Sequence, residues 1–316
     1  MNSSLNSVNV LIYGIFGIGL WIRDLYSYHI GSDREESMIS QNLPAAGGKL
    51  ARKLLFAILA AGPIPRHVAF IMDGNRRYGK KQNLPAAAGY NAGFLAVVRM
   101  LEYCYELGVR YVTVYAFSID NYRRRPEEVQ LLMNLMQIRM EEMAEVEGLA
   151  HQLGIRVCFA GNLGLLSEQL RDSVHRVTEE TARNARAVLT VCLAYTSTDE
   201  IASAVRKSCD HWACGVDGAE GKEWGVLGLG DIERNMYMGV APEPDLVVRT
   251  SGETRLSNFL LWQSSGSLLC SPSAFWPEIG LRHLVWAVIM FQRSYAYLEN
   301  KRQQSHEPRS AIDHNL

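Results

Sequence analysis

From His67 onward, short apolar runs alternate with longer amphipathic ones. Runs rich in β-branched and aromatic residues cover 67–72, 110–117, 155–160, 187–194, 244–250 and 268–271, each of strand length. Between them the apolar positions fall at helical spacing, at about 88–107, 126–147, 165–184, 197–212 and 279–299. Each gap holds a helix-length segment, which implies crossover connections. The pattern therefore predicts an α/β fold with a mostly parallel central sheet and helices on both faces.

The flanks differ. Leu50 to Ala61 reads as a short amphipathic helix, with Leu50, Leu54, Leu55, Ile58 and Leu59 on one side and Lys49, Arg52 and Lys53 near its start. It is docked either on its own domain or on a membrane surface. Gly62-Pro63-Ile64-Pro65 stops it and marks a domain boundary. The expected organisation is an N-terminal extension (1–49), this helix (50–62), a catalytic domain (63–300) and a polar tail (301–316). In the extension, Val10 to Ile22 is apolar but shorter than the ~20 residues a helix needs to cross a bilayer. A targeting segment, a surface anchor and disorder all fit it. Residues 214–230, with six glycines, read as a flexible insertion, and the polar tail as disordered.

Composition narrows the picture. With 48% hydrophobic and 21% charged residues in 316, the chain can bury a full core. A net charge of −1 gives no global sign of nucleic acid, so anion recognition must come from local arginine clusters. The six cysteines are scattered without CxxC pairs, as in a reducing compartment. Cys209, His211 and Cys214 lie close in sequence but lack a fourth zinc ligand, which favours a surface helix end.

The candidate chemistry lies where predicted strands end. Met72-Asp73-Gly74-Asn75-Arg76-Arg77 closes the first strand and opens a loop. Asp73 is the right type to hold a hard cation through oxygen, and Arg76 and Arg77 to grip phosphate in a planar fork. A second cluster, Phe117 to Pro126 with Arg123, Arg124 and Arg125, follows the second strand. Pro126-Glu127-Glu128 behind it makes a good first helical turn. A third cluster, Asp245 to Asn258, offers Arg249, Arg255 and Ser257 around Gly252, with Glu253 as a possible ion-pair partner for either arginine. Three basic loops and one acid at equivalent positions suggest two diphosphate substrates and one magnesium ion. The GxxxxGK[ST] and GxGxxG patterns are absent, so a nucleotide is the weaker guess. The helices at 88–107 and 129–143 carry apolar stripes, usually core, and the methionines of the second also suit an adaptable, greasy ligand.

These motifs resemble the cis-prenyltransferases, the family of undecaprenyl and dehydrodolichyl diphosphate synthases. The likeness rests on 67–77, 115–129, 249–263 and Phe275-Trp276-Pro277-Glu278, covers about residues 60–298, and looks most like plant rubber and dolichol enzymes. It implies an apolar product tunnel and magnesium-dependent condensation of isopentenyl diphosphate onto an allylic diphosphate such as farnesyl diphosphate. By resemblance, Asp73 binds magnesium, Gly74, Asn75, Arg76, Arg77 and Arg124 cradle the allylic diphosphate, and Ser118 and Asn121 sit near the reacting centre. Arg249, Arg255 and Ser257 match the isopentenyl diphosphate site. Tyr90 stands where a histidine is usual, and Ser267 where bacterial homodimers carry a metal-binding glutamate. The Arg-x-Gly motif those homodimers use is absent after Tyr297, which implies a Nogo-B-receptor-like partner subunit. The expected location is the cytosolic face of the endoplasmic reticulum membrane, with a plastid as the alternative. The main competing function is a non-catalytic scaffold subunit of a prenyltransferase complex.

Overall fold

The computed structural model describes residues 45–145, 148–213 and 228–306. Residues 1–44, most of the glycine-rich insertion, Cys214 and 307–316 lie outside the described residues, with the expectations attached to them. The chain divides between Leu55 and Phe56 into two units, and the larger carries the sheet.

Six strands form where apolar runs predicted them: β1 (His67–Ile71), β2 (Tyr111–Tyr115), β3 (Ile155–Ala160), β4 (Ala187–Cys192), β5 (Leu246–Arg249) and β6 (Leu268–Cys270). They pair in the order β3-β4-β2-β1-β5-β6, every pair parallel. Successive residues of a strand face opposite sides, yet all of β1 and β5 is buried. Both faces are therefore covered, as parallel sheets require.

Among the described residues the helices are α1 (Ala45–Leu59), α2 (Asn75–Lys81), α3 (Ala86–Leu107), α4 (Pro126–Ala144), α5 (Leu149–Leu153), α6 (Glu168–Thr181), α7 (Ser197–Ala213), α8 (Leu229–Arg234) and α9 (Leu281–His306). Local chemistry sets several ends. Gly108 terminates α3 in the left-handed region at φ 96°. Pro126, Glu127 and Glu128 open α4, and the Ser167 side chain caps α6.

Five details depart from expectation. Residues 75–77 are not a loop but the first turn of α2: Gly74 turns the chain at φ 111°, and Tyr78 N–H donates to Gly74 O at 2.8 Å. The connection from β5 to β6 holds no helix and is built from turns. Helix α9 runs on to His306 because Arg302 pairs with Asp245 at 2.7 Å and Lys301 donates to Ser265 O at 2.8 Å. In α1, Phe56 and Leu59 are buried whereas Leu50, Leu54 and Ile58 are exposed, so its apolar residues do not share one side. The apolar stripe of α4 is also only half covered, with Met140, Met143 and Ala144 its buried residues.

His67, at the start of β1, is fully buried. Its Nδ1 lies 2.6 Å from Pro242 O and its Nε2 2.8 Å from Thr113 Oγ1, an arrangement the neutral ring with its proton on Nδ1 satisfies. Burial pushes the imidazole down to about 4. Above the ordinary pKa near 6.5 the neutral ring costs nothing. As pH falls from 6.5 towards 4, only the unfolded chain takes up the proton, and stability is lost by roughly 3 kcal/mol. His283, also held at about 4 by burial, acts in the same sense. Thermal melts are expected to show a steep fall in Tm between pH 7 and pH 4.5, partly flattened in His67→Gln. An unchanged slope in that variant would exclude His67 as a source.

Candidate active site

In the sheet order, β1 and β5 are neighbours whose connections leave in opposite directions, towards β2 and towards β6. The crevice beyond the carboxyl ends of such a pair is where open α/β sheets bind ligands. Asp73 follows β1 there, and Arg249 ends β5.

The backbone of Asp73 is fastened from three sides. Its N–H donates to Thr250 Oγ1 at 3.0 Å. Its carbonyl accepts from Thr250 Oγ1 at 2.6 Å, Ser251 Oγ at 2.9 Å and Trp276 N–H at 2.9 Å. Gly74 completes the turn, and only glycine fits: a Cβ would lie 2.6 Å from Ser251 Oγ and 2.9 Å from Phe275, on a backbone that L side chains rarely adopt.

The Asp73 carboxylate then bridges two arginines. Oδ2 accepts from Arg249 Nη2 at 2.9 Å and Oδ1 from Arg77 Nη2 at 3.0 Å. Partial burial pushes the carboxyl up, but the hydrogen bonds and charges of Arg249 and Arg77 outweigh it and hold Asp73 below the usual carboxylate range. Arg249 also donates to Ser257 Oγ at 2.6 Å and to Arg255 O. Glu253 repeats the bridge: Oε1 lies 3.5 Å from Arg77 Nη1, and Oε2 pairs with Arg255. The guanidinium of Arg77 lies 5.4 Å over the Phe275 ring, a contact that fixes its plane.

The second basic cluster joins through Glu128. Its Oε1 accepts from Arg124 Nη1 at 2.9 Å and from Tyr90 O–H at 3.0 Å, and lies 3.5 Å from Arg76 Nη1. Desolvation opposes ionisation, but Tyr90 and the two arginines prevail and keep Glu128 below its ordinary pKa. Ser118 and Asn121 form a reciprocal cap: Ser118 Oγ accepts from Asp120 N–H at 3.1 Å, and Asn121 Oδ1 from Ser118 N–H at 3.2 Å. Ser118 also forms an isolated parallel bridge with Tyr195.

The loop carrying Arg255 and Ser257 is strained and tightly held. Ser251, Ser257, Asn258 and Leu260 all adopt positive φ, which persists only where the surroundings over-determine it. Asn258 Oδ1 accepts from Thr198 N–H at 3.1 Å, its carbonyl from Ser197 N–H at 2.8 Å, and Ser197 Oγ from Leu261 N–H at 2.9 Å. Beneath, fully buried Glu200 accepts from Tyr195 O–H at 2.5 Å, Gln263 Nε2 at 3.0 Å and Met238 N–H at 2.9 Å. Tyr115 stacks on Phe259 with centroids 4.5 Å apart.

Contacts thus join Asp73, Arg77, Arg249, Arg255 and Ser257 into one network, and Arg76 with Arg124 into a second that starts from the adjacent residue of α2. Asn75 heads α2, and its Oδ1 is buried without a hydrogen-bond partner, against Gly93, where a Cβ would approach it to 2.3 Å. Ser267 stands apart: it precedes β6, opposite the rim, and donates to Pro244 O at 2.5 Å. Glu128, Tyr90, Thr250 and Ser251 escaped sequence reasoning as site residues. The i,i+4 spacing of Arg124 and Glu128 was the available signal for one of them. Among the described residues no group of three His, Cys, Asp or Glu side chains could hold a metal by itself.

Fold and rim together define a parallel α/β protein with arginines and acids gathered beyond the carboxyl ends of its strands. The family described as "Putative undecaprenyl diphosphate synthase" matches residues 71–298. Dehydrodolichyl diphosphate synthase CPT3 of Solanum lycopersicum is 53% identical over 270 residues, 80% of this chain and 93% of that one. Rubber cis-polyprenyltransferase HRT2 of Hevea brasiliensis is 49% identical, across 81% of this chain and 94% of that one. The human dehydrodolichyl diphosphate synthase complex subunit DHDDS is 38% identical, across 80% and 74%. Lavandulyl diphosphate synthase of Lavandula x intermedia, solved with dimethylallyl diphosphate, shares the fold with a TM-score of 0.64 and 24% identity, covering 72% of this chain and 95% of that one. The chain belongs to the undecaprenyl diphosphate synthase family of cis-prenyltransferases, and is a transferase that elongates prenyl chains.

Gly74→Ala is expected to destabilise the fold by about 1–3 kcal/mol, measured by denaturant titration. Gly93→Ala is expected to displace Asn75 and reduce prenyl transfer while leaving Tm nearly unchanged. Full activity in Gly93→Ala would show that the seat of Asn75 does not matter.

Proposed function

We propose that this chain condenses isopentenyl diphosphate onto an allylic diphosphate, farnesyl diphosphate, to give a long-chain cis-polyprenyl diphosphate of dehydrodolichyl or rubber type. The observation that carries this is the Asp73 carboxylate held between Arg77 and Arg249 at the β1/β5 crevice. It sets one hard oxygen ligand among guanidiniums where two diphosphates can lie side by side. Asp73, Gly74, Asn75, Arg76, Arg77 and Arg124 serve the allylic diphosphate; Arg249, Arg255 and Ser257 serve isopentenyl diphosphate.

Magnesium fits Asp73, because Mg2+ is commonly held by one or two carboxylates with substrate phosphates and water completing its shell. Bound there, it would neutralise charge developing on the leaving diphosphate. The chain's own residues do the remainder. Arg76, Arg77 and Arg124 stabilise the diphosphate as the allylic C–O bond breaks. Arg249, Arg255 and Ser257 hold isopentenyl diphosphate so that its double bond attacks the allylic carbon. The proton lost as the new cis double bond forms leaves near Ser118 and Asn121, with Asn121 positioning its acceptor. The half-covered apolar face of α4 supports a tunnel for the growing chain.

A Nogo-B-receptor-like partner supplying Arg-x-Gly completes the site in this reading, which the likeness to a named complex subunit supports. No described helix is long and apolar enough to cross a membrane. Exposed Leu50, Leu54 and Ile58, spaced i, i+4, i+8 beside Lys49 and Lys53, favour docking on the cytosolic face of the endoplasmic reticulum membrane.

Labelled isopentenyl diphosphate should enter long-chain product when farnesyl diphosphate, Mg2+ and co-expressed partner are present, and not after chelation. Asp73→Ala is expected to lower the rate by about 10²–10³. Chelator-resistant incorporation, or wild-type rates in Asp73→Ala, would overturn the assignment.

A further inference from the structure

Four separate segments meet at one oxygen atom. Glu128 Oε1, in the first turn of α4, receives Tyr90 from α3, Arg124 from the loop before α4, and Arg76 from α2. Two guanidiniums sharing one acceptor repel each other, and the single carboxylate offsets only part of that repulsion. Held by the arginines alone, Glu128 could swing with either of them. The Tyr90 hydroxyl adds an uncharged third anchor from a helix that carries neither arginine, and it fixes the oxygen without changing the charge the diphosphate meets. Burial and the neighbouring carboxylate raise the phenol above its ordinary pKa, so it stays a donor throughout the neutral range.

We infer that Tyr90 and Glu128 are a positioning pair that sets the spacing and planes of Arg76 and Arg124 for the allylic diphosphate. The inference rests on the diphosphate-transfer reading above and deepens it. In this role neither residue has to touch the substrate. Their role is to hold two cations at one separation before the ligand arrives, so that binding does not have to order them.

Tyr90→Phe is the clean test, since it removes one hydroxyl and no charge. With the full chain and co-expressed partner, inorganic pyrophosphate binding by calorimetry and KM for farnesyl diphosphate should both weaken by about tenfold. KM for isopentenyl diphosphate should stay within about twofold, and Tm should hardly move. Tyr90→His, which restores a donor, should recover most of the loss. Glu128→Gln removes a negative charge, so a mere counter-charge role would make it bind pyrophosphate more tightly; positioning instead gives weaker binding and the same KM split. Wild-type pyrophosphate affinity in Tyr90→Phe, an equal rise in both KM values, or tighter binding by Glu128→Gln would overturn the inference. If the wild type transfers no prenyl groups yet the binding differences hold, the functional reading fails and the positioning pair stands.

Discussion

Arginines gathered on one rim repel one another unless acids stand between them. This chain meets that constraint by alternating charge. Asp73 stands between Arg77 and Arg249, Glu253 between Arg77 and Arg255, and Glu128 between Arg76 and Arg124. Each carboxylate spans two guanidiniums, and Arg77 belongs to two bridges at once. Most of these side chains are partly exposed, where an isolated ion pair contributes little to stability. Their worth lies in order: the arginines are already near one another and already oriented.

Order of that kind needs a stiff frame, and the parallel sheet supplies it. β1 and β5 end side by side with their residues buried, so Asp73 and Arg249 start from fixed points. Arg249 is the most buried of the arginines in these bridges, its side chain 7% exposed. Removing Asp73 would strand that charge, which makes the pair structural. The loop after β5 is bent through several left-handed residues, and Thr250, Ser251 and Asn258 hold it to the Asp73 turn and the start of α7. Beneath it, buried Glu200 draws Tyr195, Gln263 and Met238 together, which ties the segment after β4 to the one that follows the Arg255 loop.

The regions flanking this frame are less closed. The apolar positions of α4, and Leu50, Leu54 and Ile58 of α1, are only partly covered by the described residues. Both lie in segments whose sequences are greasy on more than one side.

The sequence by itself determined the elements and the ends at which chemistry collects. Apolar period and β-branched runs locate all six strands, and Asp73, Arg77, Arg249 and Arg255 stand out because charge after a buried strand has few other reasons to be there. It did not determine partners. Whether Glu253 served Arg249 or Arg255 was open; it pairs with Arg255 and with Arg77 from a distant segment, while Arg249 takes Asp73. Glu128 read as an ordinary acid in a helical first turn, and Tyr90 as a gap in a motif. Their meeting depends on how α2, α3 and α4 pack, contacts between residues tens of positions apart that no local pattern encodes. The first turn of α2 was missed for a related reason: Gly74 ends one element and begins another, and only the seat that Ser251 and Phe275 leave for it decides which.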